Sequence, residues 1–141
     1  EKYGWKHCEV FCGVKEMLHE LKAAGKRLAV ATSKPIKFTN MIVKGFDLEK
    51  YFDVVGGASS DASKEAKCDV INDVLSRLCV TDKSKVLMVG DRMYDIDGAH
   101  ICGIDVCAVL YGYGDREEFE KHDAEYIVKT PSDVVSLVLK R

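Results

Sequence analysis

Three short clusters carry side chains able to hold and transfer a charged group. Thr32-Ser33-Lys34 follows the apolar run RLAVA, Lys64 and Lys67 lie within SSDASKEAKCDVI, and GDRMYDIDG sets Asp91, Asp95 and Asp97 behind the apolar ramp from Val86 to Val89. A hydroxyl followed by backbone N–H groups at a helix N-terminus makes a cradle for a phosphate oxygen. Lysine in the first turn of a helix opposes the helix dipole, and a nearby anion is one reason for it to be there. Asp91 and Asp95, four residues apart, return to the same side as their loop curls into a helix. Close carboxylates repel unless a cation or proton lies between them, and hard oxygen ligands with room for water describe a magnesium site. Each cluster also has a plainer reading when taken alone. Thr32 can be an N-cap, either lysine a solvated surface charge, and Asp95 a helix cap, although the last leaves Asp91 unexplained.

The elements that must position these residues are legible in the apolar spacing. From Gly13 the pattern VKEMLHELKAAGKR places Val14, Met17, Leu18 and Leu21 on one helical face, and Gly25 ends the helix. RLAVA, residues 27–31, reads as a buried strand, TSKP as a polar turn, and Pro35 as the opening of a helix through KFTNMIVKGF. A strand near residues 52–56 precedes a helix from Lys64 to Leu78, spaced by Ala66, Val70, Ile71, Val74 and Leu78. KVLMV, DVCAVL and YIV are further strands. A helix follows Asp95, the glycine-rich YGYG is a turn near the entrance leading to a short charged helix, and Pro131 opens the last helix. This alternation predicts an α/β fold, a mostly parallel sheet with right-handed crossovers and helices on both faces. Ligand sites in such sheets form at the carboxyl ends of the strands, where all three clusters fall.

Composition narrows the partner. The chain has 141 residues, 47% apolar and 31% charged, enough for one domain with a substantial core. Twenty-one basic against twenty-three acidic residues give a formal net charge of −2. No basic stripe points to nucleic acid or an anionic membrane, so a small molecule is the expected partner. No apolar run approaches a membrane span and EKYGWKHCEV lacks the features of a signal peptide, so a cytoplasmic location is expected. Six cysteines, at 8, 12, 68, 79, 102 and 107, lack C-x-x-C spacing and read as reduced, mostly buried thiols. His7, Cys8 and Cys12 have no downstream counterpart that would complete a zinc site.

Hydroxyl, lysine, then GDxxxD, in that order and each after a strand, resembles motifs two, three and four of the haloacid dehalogenase superfamily of phosphohydrolases. LKAAGKRLAVATSKP, KCDVINDVL, VLMVGDRMYDIDGA and AVLYGYGDREEFEKHDAEYIV are similar to its phosphoglycolate phosphatase branch, which also contains nucleotidase-like members. The resemblance implies a Rossmann-like core and Mg2+-dependent hydrolysis of a small phosphorylated metabolite through an aspartyl-phosphate. It implies that Thr32, with Ser33, binds the phosphoryl group and that Lys67, in preference to Lys64, holds its charge and orients the nucleophile. Asp91 would bind magnesium with Asp95 supporting the site, and Asp97 has no matching role.

The family's nucleophile motif, DxDGT after the central first strand, has no counterpart here. Asp95-Ile96-Asp97-Gly98 spells DxDG, but a nucleophile must project from the end of a buried strand, and Asp95 lies well past Val89. The first strand, both catalytic aspartates and nearly all of the cap are therefore expected upstream of Glu1. Residues 1–12 then read as a remnant of the cap-to-core linker and 13–141 as the C-terminal part of the core. The missing strand would sit between RLAVA and KVLMV. The expectation there is a gap, an upstream segment or partner chain filling it, or a rearranged direct pairing. The fragment alone is expected to be inactive, which leaves a noncatalytic phosphate- or metal-binding module as an alternative. A phospho-accepting receiver is disfavoured by motif order, since its acidic residues precede the hydroxyl and the lysine.

Overall fold

The computed structural model describes residues 2–58 and 67–141, and within them the side chains of 13–32, 34–57 and 67–141. Lys64, the side chain of Ser33, and the side chains of His7, Cys8 and Cys12 lie outside the described residues. The order of elements is α1 (Lys2–Ala23), β1 (Ala29–Pro35), α2 (Ile36–Gly45), β2 (Val54–Ala58), α3 (Lys67–Arg77), β3 (Leu87–Gly90), α4 (Met93–Ile101), β4 (Asp105–Val109), α5 (Arg116–Lys121), β5 (Tyr126–Val128) and α6 (Pro131–Lys140). This is the expected α/β alternation. The first helix is longer than its apolar spacing suggests and continues back to Lys2.

Every strand pairing is parallel, but the strands form two sheets, β1–β2 and β3–β4–β5. Among the described residues β1 and β3 do not pair, so of the outcomes expected between RLAVA and KVLMV a rearranged direct pairing is not formed. None of the five strands among the described residues carries a DxD sequence.

Helices cover both faces. On one face Met17, Leu18 and Leu21 of α1 and Val134 and Val135 of α6 pack with Val43, Cys107 and Val109, and the half-buried Val30 and Leu87 join them. On the other, Ile71 and Leu75 of α3, Ile96 and Ala99 of α4 and Phe119 of α5 pack on Val106 and Ala108, with Ala31 and Met88 beside them. Alternate residues of β4 thus serve opposite cores, as a strand with period two requires. Both cores take residues from both sheets, so packing joins what backbone hydrogen bonding does not.

Two local expectations are corrected. TSKP is not a turn beyond the strand, because β1 runs to Pro35 with an irregular register between Ala31 and Pro35. Gly57 permits this close crossing, since a Cβ there would lie 2.8 Å from Cα of Ile36. Cys79 is exposed rather than buried; it lies in the turn after α3 at φ 58°. The C-terminal helix starts as Pro131 predicts, with a reciprocal capping box between Thr130 and Asp133.

Candidate active site

Thr32, Lys67, Asp91 and Asp95 line one open cleft of about 540 Å3 at the carboxyl ends of β1 and β3, together with Lys34 and Arg92. Each arrives on a different piece of backbone. Thr32 sits in the irregular end of β1, where its Oγ1 accepts a hydrogen bond from the backbone N–H of Lys34 at 3.2 Å. That bond makes a local turn of the kind Ser and Thr favour. It is not a helix cap, because α2 begins four residues later behind Pro35.

Lys67 opens α3, and its Nζ reaches Asp95 Oδ1 at 2.8 Å with both side chains about one-seventh exposed, 13% and 15%. Its stem lies across α4 where residue 98 is glycine; a Cβ there would come within 2.6 Å of Lys67 Cγ. The mid-helix glycine, ordinarily a cost, leaves room for the Lys67 stem on its way to Asp95.

Asp91 follows β3, and Asp95 lies in the first turn of α4, where a negative charge suits the helix dipole. Asp95 Oδ2 accepts the backbone N–H of Asp91 at 3.1 Å. Both oxygens of Asp95 are therefore engaged by this chain. Asp91 Oδ2 accepts the backbone N–H of Tyr113 at 3.0 Å, while its Oδ1 takes no hydrogen bond from the described residues. The YGYG segment is thus a shelf beneath Asp91. A Cβ on Gly112 would collide with the Asp91 carboxylate, and one on Gly114 with the Asp91 carbonyl and the Phe119 ring.

A further support was not apparent from the sequence. Glu118 of α5 reaches back so that its Oε2 accepts from Arg92 Nε at 3.1 Å and from the Met93 N–H at 2.9 Å. It thereby satisfies an orphan donor at the start of α4. The same hydrogen bond, with the charge of Glu118, pushes the Arg92 pKa above its ordinary value. Asp97 points elsewhere, to His122 Nδ1 at 2.9 Å, and Ile96 between the two aspartates is fully buried. The DxDG sequence therefore belongs to a helix, as its placement past Val89 implies.

Among the described residues the lining holds the basic Lys34, Lys67 and Arg92 and the acidic Asp91, Asp95 and Asp97. Among the described residues no group of three or more acidic, His or Cys side chains is assembled as a metal cage. The donor set nonetheless fits magnesium, which keeps several waters and takes one or two carboxylates plus substrate phosphate in preference to an all-protein shell. What the arrangement offers is a carboxylate oxygen, an ammonium and a hydroxyl lining one open cleft.

A family model described as "Haloacid dehalogenase-like hydrolase" matches residues 1–109. The chain belongs to this family. Among relatives of these haloacid dehalogenase-like hydrolases, "Tyrosine-protein kinase PtkA" of Mycobacterium tuberculosis is 40% identical over 133 residues, covering 94% of this chain and 43% of the relative. The "5'-nucleotidase" of Pseudomonas aeruginosa is 34% identical over 113 residues, 80% of this chain and 51% of the relative. Phosphoglycolate phosphatases match as well. In structure, a "predicted phosphatase from Clostridium acetobutylicum" superposes with a TM-score of 0.85 at 37% identity, over 92% of this chain and 59% of its own. The chain spans about half the length of the curated relatives it matches.

Proposed function

We propose that these residues are the C-terminal part of the core of a cytoplasmic, magnesium-dependent phosphomonoesterase, phosphoglycolate phosphatase- or nucleotidase-like, whose attacking aspartate is carried by polypeptide outside this chain. The observation that carries the reading is the convergence of Thr32, Lys67, Asp91 and Asp95 on one cleft. In it the Thr32 hydroxyl and the Lys67 ammonium bind the phosphoryl oxygens, with Ser33 contributing from the same strand end. Asp95 positions Lys67 and fixes the backbone of Asp91. Asp91, steadied by the Tyr113 N–H, holds the metal, with Asp95 supporting it. Magnesium, when bound, neutralises negative charge so that an anionic nucleophile and an anionic substrate can approach. Phosphoryl transfer relies mainly on positioning and charge stabilisation, which is what these groups supply. The expected product of attack is an aspartyl-phosphate, then hydrolysed by water.

The test is hydrolysis of p-nitrophenyl phosphate by the intact protein with magnesium. Thr32→Val and Asp91→Asn are each expected to lower kcat by on the order of 100-fold or more, while residues 1–141 alone stay inactive. Turnover by residues 1–141 alone would overturn the assignment of the nucleophile; full activity in both variants would overturn the site. The match to PtkA gives a second reading, phosphoryl transfer to protein tyrosine, which predicts labelling of a tyrosine peptide from ATP instead.

A further inference from the structure

The cleft has a thiol at its edge and a second one behind it. Cys68, the residue after Lys67, is half-buried and lines the cleft; Cys102, which closes the C-terminus of α4, is 4% exposed. Their Sγ atoms are 2.6 Å apart, and Cys102 Sγ also lies 3.4 Å from the carbonyl oxygen of Cys68. Cysteines can be bridged only where the backbone already brings the sulfurs together, and here the two Sγ atoms are in contact. Among the described residues this is the one pair of sulfurs in contact; Cys107 is buried without a thiol partner and Cys79 stands exposed in a turn.

We propose that Cys68 and Cys102 are a reversible redox pair, oxidised to a disulfide by a peroxide entering the cleft and reopened by a dithiol reductant. Access divides the roles. Cys68 is the sulfur that a solute in the cleft meets, and Cys102 resolves from behind. Burial, then the hydrogen bond with Cys68, pushes the Cys102 thiol up to about 12, so at neutral pH it stays protonated and does not initiate. Cys68 thiolate attacks one oxygen of hydrogen peroxide, the O–O bond breaks, and hydroxide leaves with the proton Cys68 has shed, giving water and a sulfenic acid. Cys102 sulfur then attacks the sulfenic sulfur; the S–O bond breaks and its hydroxyl departs with the Cys102 proton as a second water. Two thiols and one peroxide become one disulfide and two waters.

The bond would tie α3 to α4 beside the Lys67–Asp95 pair, joining residues 34 positions apart. Closing a loop of that length restricts the unfolded chain, and the expected rise in Tm on oxidation is roughly 5–15 °C. The inference rests on the two sulfurs and does not need the phosphatase reading.

The experiment treats the intact protein with stoichiometric hydrogen peroxide, blocks remaining thiols by alkylation under denaturing conditions, and maps tryptic peptides without reduction. The expected product links CDVINDVLSR, residues 68–77, to the peptide of residues 93–116 that contains Cys102 and Cys107. Dithiothreitol should separate them, Cys68→Ser and Cys102→Ser should each abolish the link, and Cys107→Ser should retain it. Because the buried Cys102→Ser variant risks misfolding, the half-exposed Cys68→Ser carries the test: in it Cys102 must remain alkylatable after peroxide. The proposal is overturned if the link survives Cys102→Ser, if no link forms, or if Cys68 is over-oxidised while Cys102 is still alkylated.

Discussion

Removing the charge of Asp95 without changing its shape isolates the interaction that organises the cleft. In Asp95→Asn the amide oxygen can still accept the Asp91 N–H now received at 3.1 Å. The amide nitrogen must then face the Lys67 ammonium, a donor against a donor, where Oδ1 now stands 2.8 Å away. Two unit charges at that separation attract by about 6 kcal/mol at an effective dielectric constant of about 20. Desolvating two side chains that are only 13% and 15% exposed offsets part of this. The net loss expected from Asp95→Asn, and likewise from Lys67→Met, is about 2–4 kcal/mol, because either one leaves its mostly buried partner without its counter-charge. The double variant removes both charges and should cost less than the two single losses added together. Equilibrium urea unfolding of the four proteins gives the coupling directly. A coupling of at least about 1.5 kcal/mol is expected, whereas additivity within about 0.5 kcal/mol would mean that the pair is not energetically joined and that Asp95 does not position Lys67.

Two further outcomes follow from the same geometry. Gly98→Ala in a helix interior would ordinarily gain up to about 1 kcal/mol, but its Cβ meets the Lys67 stem at 2.6 Å, so the expected result is a net loss of about 1–3 kcal/mol in urea unfolding; a gain would show that Lys67 does not lie across α4. Burial pushes the Glu125 carboxyl up, but hydrogen bonds from His100 and the Val106 N–H outweigh this and hold it below its ordinary 4.5. A lowered folded-state value stabilises above pH 4.5 and is lost as pH falls through that folded value, so Glu125→Gln should flatten the fall of Tm with acidification in that window, and an unchanged slope would refute the assignment.

What the sequence disclosed follows from periodicity and from side-chain type. GDRMYD could be placed because an apolar strand ends in glycine and the next carboxylates recur at helical spacing; Asp91 and Asp95 then meet through a backbone four residues long. Lys64 and Lys67 were both legible as cations near a helix start that an anion would explain, only the family resemblance preferred Lys67, and the ion pair supplies a neighbouring anion in Asp95. The supports were not legible. Tyr113 holds Asp91 by a backbone N–H, a donor that every residue but proline possesses, so no side-chain type could announce it. Glu118 reads as one more charge on a short charged helix, and its reach to Arg92 and Met93 spans 25 or 26 residues of chain. The extension of β1 through Thr32 to Pro35 was hidden because its residues are polar and its last partner, Ala58, joins only after a break in register. Cys68 and Cys102 look like two ordinary helix residues until α3 and α4 are packed together.

The division into two sheets leads to one more measurement. In β4, which has a neighbour on each side, Val106 to Val109 are all buried. Strands β1 and β3 are written in the same apolar residues, yet Val30, Ala31, Leu87 and Met88 are only half-buried and Val89 is 37% exposed. Sequences apolar on both faces belong to strands with neighbours and helices on every side, and each of these instead leaves one row of N–H and C=O groups without a strand partner among the described residues. A parallel strand between them would complete both rows and would end between Thr32 and Asp91, where the proposed nucleophile is required. Hydrogen exchange at the amides of residues 29–31 and 87–89 tests this directly, by comparing residues 1–141 with the intact protein. Slower exchange at both strands in the intact protein is expected, with the β4 amides changing less because their pairing is already complete. Equal exchange at β1 and β3 in the two proteins would mean that nothing fills the space between them, and the attacking group would have to come from elsewhere.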